Sequence, residues 1–178
     1  YYTDVSGTLE LRNAIADKFK RDNALTYQAN QIIVSSGAKH GLYNLAQALI
    51  NPGDEVIIPA PFWVSYPDII YLAEGKPVII NTNIEHQFKI TPEQLEQAIT
   101  PKTKLLILNS PSNPTGSCYT KDELAALGQV LLQHPHVYVL SDDIYEYLQF
   151  DGNEFCNILN ACPELYARTI VFNGVSKG

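Results

Sequence analysis

Short apolar runs that alternate with helix-like segments constrain the fold of this chain more than any other feature. The strand-like runs cover residues 31–34, 55–58, 77–80, 104–108, 137–141 and 169–172. Apolar periodicity and capping residues predict helices over 9–21, 39–50 and 62–73, a helix beginning near Thr91, and another running from Thr120 to Gln133. Apolar strands separated by helices are typical of a parallel sheet. The sequence therefore predicts an α/β fold, with a mostly parallel sheet and helices on both faces.

Composition narrows the classes of function. The chain has 178 residues, enough for one domain with a real core, and a net charge of −7, which argues against binding nucleic acid through its phosphates. No stretch is apolar enough to cross a membrane, and no signal peptide opens the sequence. Cys118, Cys156 and Cys162 lack metal-ligand spacing and are predicted to be free thiols in the cytoplasm, although Cys156 and Cys162 could pair if oxidised.

Polar and glycine-containing segments follow four of the predicted strands. They cover residues 35–37, 109–116, 142–145 and 173–177. Ligands of open α/β sheets bind beyond the carboxyl ends of the strands. These segments therefore predict a single shared site, whichever ligand it takes.

Two of the candidate features also have ordinary structural explanations. Ser36-Gly37-Ala38-Lys39 joins a strand to a helix and could cradle a phosphate on backbone N–H groups, or could be a plain turn. Trp63, the single tryptophan, could contact a ligand or belong to the core.

The loop with Asn113 and the pair Asp142-Asp143 are the strongest polar candidates. Asn109 to Gly116 contains two prolines, which predict a rigid extended loop whether or not it binds anything. Asp142 and Asp143 follow an apolar strand, so they should point to opposite faces and only one should serve the site. The alternatives are that Asp143 is the buried partner or that both carboxylates are exposed.

Taken in order, three motifs resemble the pyridoxal-phosphate (PLP) aminotransferases of fold type I, in the aspartate-aminotransferase-like branch. They are Asn113-Pro114-Thr115-Gly116, Ser141 to Glu146, and Asn173-Gly174-Val175-Ser176-Lys177. The resemblance implies that residues 1–178 are part of the large, cofactor-binding domain. It also implies that an N-terminal arm and a small C-terminal domain, with the arginine that clamps the substrate carboxylate, lie outside this sequence.

The resemblance assigns the reactive groups. It makes Lys177 the lysine that forms a Schiff base with PLP, which requires an amine that is uncharged part of the time, as burial and nearby cations allow. Asp142 would face the ring nitrogen, whose positive charge it would preserve. Asn113 and Tyr145 would contact the phenolic oxygen, and Trp63 would stack on the ring.

It also assigns the phosphate contacts. Gly37, Ala38 and Lys39 would form the cradle, Lys39 through its backbone N–H, and Ser176 would add its hydroxyl. Tyr2 would reach the phosphate of the neighbouring subunit in a homodimer, with Tyr1 as the alternative one residue away.

The activity that the resemblance implies is a ping-pong transfer of an amino group between an amino acid and a 2-oxo acid, through an internal aldimine at Lys177. Two alternatives stay open: a PLP-dependent carbon–sulfur lyase on the same fold, and a non-catalytic fragment. These residues alone are expected to bind PLP poorly and to turn over no substrate.

Overall fold

A single parallel sheet organises the part of the chain that the computed structural model describes, residues 2–150, 152 and 154–177. Its strands are β1 (Glu55–Ala60), β2 (Lys76–Asn81), β3 (Thr103–Asn109), β4 (Tyr138–Asp142) and β5 (Thr169–Phe172), in the order β2-β1-β3-β4-β5. All four neighbouring pairs are parallel. The predicted fold class is confirmed, and the structure adds the strand order.

Helices cover both faces of this sheet. They are α1 (Leu9–Asn23), α2 (Ala38–Leu49), α3 (Ser65–Leu72), α4 (Pro92–Ala98), α5 (Lys121–Gln133) and the short α6 (Ile158–Ala161). Short 3-10 turns lie at Ala29–Gln31, Ile84–His86 and Pro163–Arg168. No helix among the described residues has the length and apolar content needed to cross a membrane.

Successive strand side chains enter two separate cores. Ile57, Leu106 and Val139 pack with α1, α4, α5 and α6 on what we call the α5 face. Leu105 and Leu140 pack with α2 and α3 on the opposite α2–α3 face. Because strand residues alternate in direction, β1, β3, β4 and β5 contribute to both cores, which explains their continuous apolar sequences, whereas β2 contributes only to the α5 face.

Local capping chemistry fixes the beginnings of two helices. Thr91 accepts from the backbone N–H of Gln94 while the Gln94 side chain bonds back to Thr91, and Thr120 and Glu123 form the same reciprocal pair. Each arrangement satisfies two backbone donors that the helix itself leaves unpaired. Both helix starts were therefore predictable from sequence.

Two predicted elements need correction. Residues 31–34 form no strand: after the 3-10 turn, Ile33 is 75% exposed, and the Val34 N–H makes an isolated bond to the Ser6 carbonyl at 2.9 Å. One such bond is not a ladder. The helix predicted over 62–73 begins at Ser65 instead, since the segment before it turns away from the end of β1.

Candidate active site

The loop between residues 35 and 37 ends at an open helix N-terminus. Gly37 has φ +89°, and a Cβ built on it would meet nothing within 4 Å. Among the described residues no side chain caps α2, although the Ser36 N–H donates to His40 Nδ1 at 3.1 Å. An uncapped helix start presents backbone donors and the positive end of the helix dipole. This turn suits an anion such as a phosphate.

Asp142 lies at the carboxyl end of β4 on the α2–α3 face and is 4% exposed. Its Oδ2 accepts from the Tyr66 hydroxyl at 2.6 Å, and its Oδ1 accepts from the Ile144 N–H at 3.3 Å. Burial raises the pKa of Asp142 above its usual value, while the two donors act to lower it. A cation beside this carboxylate would offset the burial and keep it ionised.

The loop after β3 is tied to the end of β4 by Asn109. Asn109 donates through Nδ2 to the Asp142 carbonyl at 3.0 Å, and its Oδ1 accepts from the Asn113 N–H at 2.8 Å. Asn113 Nδ2 in turn lies 3.5 Å from the Tyr145 hydroxyl. The structure therefore brings Asn113, Asp142 and Tyr145 together through Asn109.

Trp63 lies between Lys39, at the start of α2, and Tyr66, the partner of Asp142. Its half-buried ring meets the Tyr66 ring edge-on, with centroids 5.5 Å apart, and Tyr66 is the residue bonded to Asp142. The Lys39 ammonium lies 4.9 Å from the Trp63 ring centroid, within the range of a cation–π contact. Trp63 therefore lies beside the site and packs against the α2–α3 core from there.

The segment that leads to Lys177 passes between these groups. The Asp143 N–H donates to the Phe172 carbonyl at 2.9 Å, and a Cβ on Gly174 would lie 3.6 Å from Ile144. At Gly41, a Cβ would come within 2.8 Å of the Phe172 ring, so α2 approaches β5 closely only because this residue is glycine. The cradle, the Asp142 turn and the Lys177 segment thus meet at one edge of the sheet.

The predicted residues Tyr2, Ser176 and Lys177 are exposed. Ser176 and Lys177 lie on the surface, so the described residues do not bury the Lys177 amine as the predicted chemistry requires. Tyr2 is also fully exposed and stands apart from the cradle and from Asp142 in the contacts of the described residues. Its alternative, Tyr1, lies outside the described residues.

Asp143 faces the other core. It is 3% exposed, accepts from Ser141 Oγ at 2.7 Å and also accepts from Asn157 Nδ2. Burial raises the pKa of Asp143 well above its usual value, and the nearby Asp142 and Glu146 act in the same direction. The expectation that the two carboxylates diverge is confirmed, and the alternative that both are exposed is wrong.

Sequence reasoning missed the partners of these groups. Tyr66 is 76 residues from Asp142, and Asn157 is 14 residues from Asp143. Tyr66 lies inside a predicted helix, where an aromatic residue indicates only core packing. Asn109 carried a signal, since it begins the proline-containing loop directly after a strand.

The fold and site together define a parallel α/β domain with an uncapped helix start, a buried carboxylate and an Asn–Tyr pair at one edge of its sheet. A family model described as aminotransferase class I and II matches residues 1–178, and the chain belongs to that family.

Curated relatives and solved structures agree with this membership. The chain is 58% identical over 176 residues to an aspartate/prephenate aminotransferase of Nitrosomonas europaea, and 52% identical to an aspartate aminotransferase of Bacillus subtilis. These alignments cover 99% of this chain and 44% of each relative. The crystal structure of the Rhizobium meliloti aspartate aminotransferase matches with a TM-score of 0.98 at 48% identity, over 99% of this chain and 44% of that one. A Thermus thermophilus aspartate aminotransferase with maleate matches with a TM-score of 0.92 at 43% identity, over 99% and 45%.

Proposed function

We propose that the protein containing this chain is a PLP-dependent aminotransferase, and that residues 1–178 form part of its large, cofactor-binding domain. The observation that carries the proposal is Asp142, a buried carboxylate that has two donors but no positive partner among the described residues. When bound, PLP supplies a ring with a protonated nitrogen that withdraws electrons from the substrate carbon that loses its proton. The site fits such a group, because it offers a carboxylate for the nitrogen and an uncapped helix start for the phosphate.

Each residue has a separate task in this proposal. Asp142 holds its negative charge opposite the ring nitrogen, so the proton stays on that nitrogen. Asn113 and Tyr145, whose polar atoms lie 3.5 Å apart, offer neighbouring hydrogen-bond donors to the phenolic oxygen. Trp63 covers the ring, and the backbone N–H groups of Ala38 and Lys39 bind the phosphate with the help of Ser176.

Lys177 holds the cofactor and moves the proton. With PLP bound, the Lys177 Nζ would hold the cofactor and would serve as the base and then the acid for the proton on the substrate Cα. The described residues leave Lys177 exposed. We therefore propose that the substrate and the rest of the protein supply the desolvation that this amine needs.

The names of the relatives suggest the reactants. Since curated relatives are named aspartate and aspartate/prephenate aminotransferases, we propose aspartate as the amino donor and a 2-oxo acid as the acceptor. We further propose a homodimer in which the exposed Tyr2 reaches the partner's phosphate site, and a cytoplasmic location, where the free thiols Cys118, Cys156 and Cys162 would stay reduced.

The test is to reduce the purified full-length protein with borohydride, which makes the cofactor–lysine link permanent, and to measure intact mass and map the modified peptide. We expect one PLP adduct per chain on Lys177, and none in the Lys177→Ala variant. Lys102→Ala, at another exposed lysine, should keep the adduct on Lys177. An adduct on another lysine, or full half-transamination by Lys177→Ala, would contradict the proposal.

The lyase alternative is decided by products. An aminotransferase releases a 2-oxo acid only as fast as it loads its cofactor with the amino group, and it needs an acceptor for a second turnover. Sustained pyruvate and ammonia from a cysteine conjugate without any acceptor would instead identify a lyase.

A further inference from the structure

The turn that follows β4 has two differently used sides. Within residues 143–148, the Glu146 N–H donates to the Asp143 carbonyl at 2.9 Å, and the Leu148 N–H donates to the Tyr145 carbonyl at 2.8 Å. Tyr145 points toward Asn113 at the site, whereas the adjacent Glu146 points away from it and into the protein. The position of the Tyr145 hydroxyl therefore depends on how the back of this turn is held.

A closed triangle of polar contacts holds Glu146. Lys18 Nζ bonds to Glu146 Oε1 and also donates to Asn23 Oδ1 at 2.7 Å. Asn23 Nδ2 donates to Glu146 Oε2 at 2.7 Å, which completes the triangle. Both oxygens of the carboxylate are thus used, and both partners come from the last two turns of α1.

Asn23 and Glu146 are buried, Lys18 is partly buried, and the triangle is itself fixed in place. The side chain of Glu146 is 3% exposed and that of Lys18 is 21% exposed. Asn160 Nδ2 donates to the Asn23 carbonyl at 2.7 Å, which ties α1 to α6. Among the described residues, the other charged or titratable groups that face the triangle are Asp22, whose carboxylate lies 4.0 Å from Lys18 Nζ, Tyr147, whose hydroxyl donates to Asp22, and Asp143.

We propose that the triangle of Lys18, Asn23 and Glu146 is a positioning device for Tyr145, which sets the distance of its hydroxyl from Asn113 and hence its hydrogen bond to the bound cofactor. This inference rests on the role proposed above for Tyr145. In this proposal, Glu146 and Lys18 contact neither the substrate nor the cofactor. They act through one short turn, because a shift of Glu146 moves the adjacent Tyr145. A misplacement of about 1 Å at a reacting group can cost about a hundredfold in rate.

A buried carboxylate at the other edge of the sheet provides a matched control. Glu55, at the amino end of β1, accepts from Lys76 Nζ at 3.0 Å and from the Thr100 hydroxyl at 2.6 Å, with its side chain 10% exposed. Like Glu146 it is a buried acid with a lysine and a neutral donor. Because it lies at the edge opposite the site, its loss should affect folding without affecting Tyr145.

The experiment titrates the absorbance of the bound cofactor with pH in the full-length holoenzyme. A donor to the negatively charged phenolic oxygen stabilises the form of the cofactor that has lost its proton. Removing the donor therefore raises the pH at the midpoint of the titration. Tyr145→Phe sets the full shift. We expect Glu146→Gln and Lys18→Met to raise the midpoint in the same direction by a smaller amount, and Glu55→Gln to leave it at the wild-type value.

A double variant isolates the pathway through Tyr145. If Glu146 acts only by placing that hydroxyl, Glu146→Gln should add no further shift to Tyr145→Phe. Should a single variant fail to fold because it leaves one buried charge unpaired, Lys18→Met combined with Glu146→Gln removes both charges and provides the same test.

The outcomes separate the two proposals. If Tyr145→Phe moves the midpoint but neither Glu146→Gln nor Lys18→Met/Glu146→Gln moves it, the positioning role is wrong and the proposed function stands. An equal shift in Glu55→Gln, or a full additional shift in Tyr145→Phe/Glu146→Gln, also overturns it. If Tyr145→Phe leaves the midpoint unchanged, the role proposed for Tyr145 fails, and the positioning role fails with it.

Discussion

Asp142 and Asp143 are neighbours in sequence, are equally buried, and serve opposite sides of the sheet. Asp142 lies on the α2–α3 face, where its donors are the Tyr66 hydroxyl and the Ile144 N–H at the carboxyl end of the sheet. Asp143 ends on the α5 face, where Ser141 and Asn157 occupy its two oxygens inside the core. Burial raises the pKa of both, and that of Asp143 further. The difference indicates that burial alone does not distinguish the two carboxylates: what separates them is the face of the sheet, since only Asp142 lies on the side of the proposed cofactor site.

The largest expected effect comes from neutralising Asp142, the carboxylate at the proposed cofactor site. In the full-length enzyme, Asp142→Asn should lower kcat/KM by about 10²–10³-fold, the usual cost of losing one preorganised electrostatic partner. Steady-state kinetics with a saturating acceptor would measure it. If Asp143→Asn instead caused the larger loss, the assignment of the two faces would be reversed.

The inner carboxylate should show its effect in stability. Asn157→Ala removes a donor to Asp143. It also removes the side-chain cap of α6, because Asn157 Oδ1 accepts from the Leu159 N–H at 2.8 Å. An unsatisfied buried group costs about 1–3 kcal/mol and a lost cap about 1 kcal/mol, so the free energy of unfolding should fall by about 2–4 kcal/mol. Urea unfolding would measure this, and Asn160→Ala, which affects the same short helix without touching Asp143, serves as the control. An unchanged unfolding midpoint would contradict the prediction.

The raised pKa values also predict how the stability of the cofactor-free protein depends on pH. A carboxyl whose pKa is higher in the folded state binds more protons there than in the unfolded state. Its contribution to the free energy of unfolding is therefore complete below the ordinary carboxyl pKa and is lost as the pH rises through the raised pKa. The free energy of unfolding should therefore fall with rising pH over that window. Urea unfolding at a series of pH values tests the sign, and the slope should be much smaller in Asp143→Asn. A slope that is equal in both proteins would contradict the prediction.

The smallest effect should come from the donor to Asp142. The Tyr66 hydroxyl lowers the pKa of Asp142, so Tyr66→Phe should raise it further and move the acid limb of the rate profile to higher pH. Loss of one hydrogen bond to a charged group corresponds to about 1.5–3 kcal/mol at most, and the bound cofactor should offset part of it. The pH profile of kcat/KM measures the shift. Tyr71→Phe, at an exposed tyrosine of α3, should leave the profile unchanged.

Local chemistry made much of the fold predictable. The capping boxes at Thr91 and Thr120, and the apolar run that became β5 over the predicted residues, needed only their own neighbours in sequence. The failure at residues 31–34 has the opposite cause. Three consecutive apolar residues there met no strand to pair with in the described structure, and a strand exists only through its partner.

The site divides along the same line. The sequence by itself determined that Asp142 and Asp143 diverge, because side chains alternate along any strand, and that glycine and polar residues gather where parallel strands end. Only the tertiary structure decided that Tyr66 meets Asp142, that Asn157 meets Asp143 and that Lys18 holds Glu146 from 128 residues away. The physical reason is that alternation and capping act over a few residues. A partner for a buried charge is chosen by which helices pack against that face of the sheet.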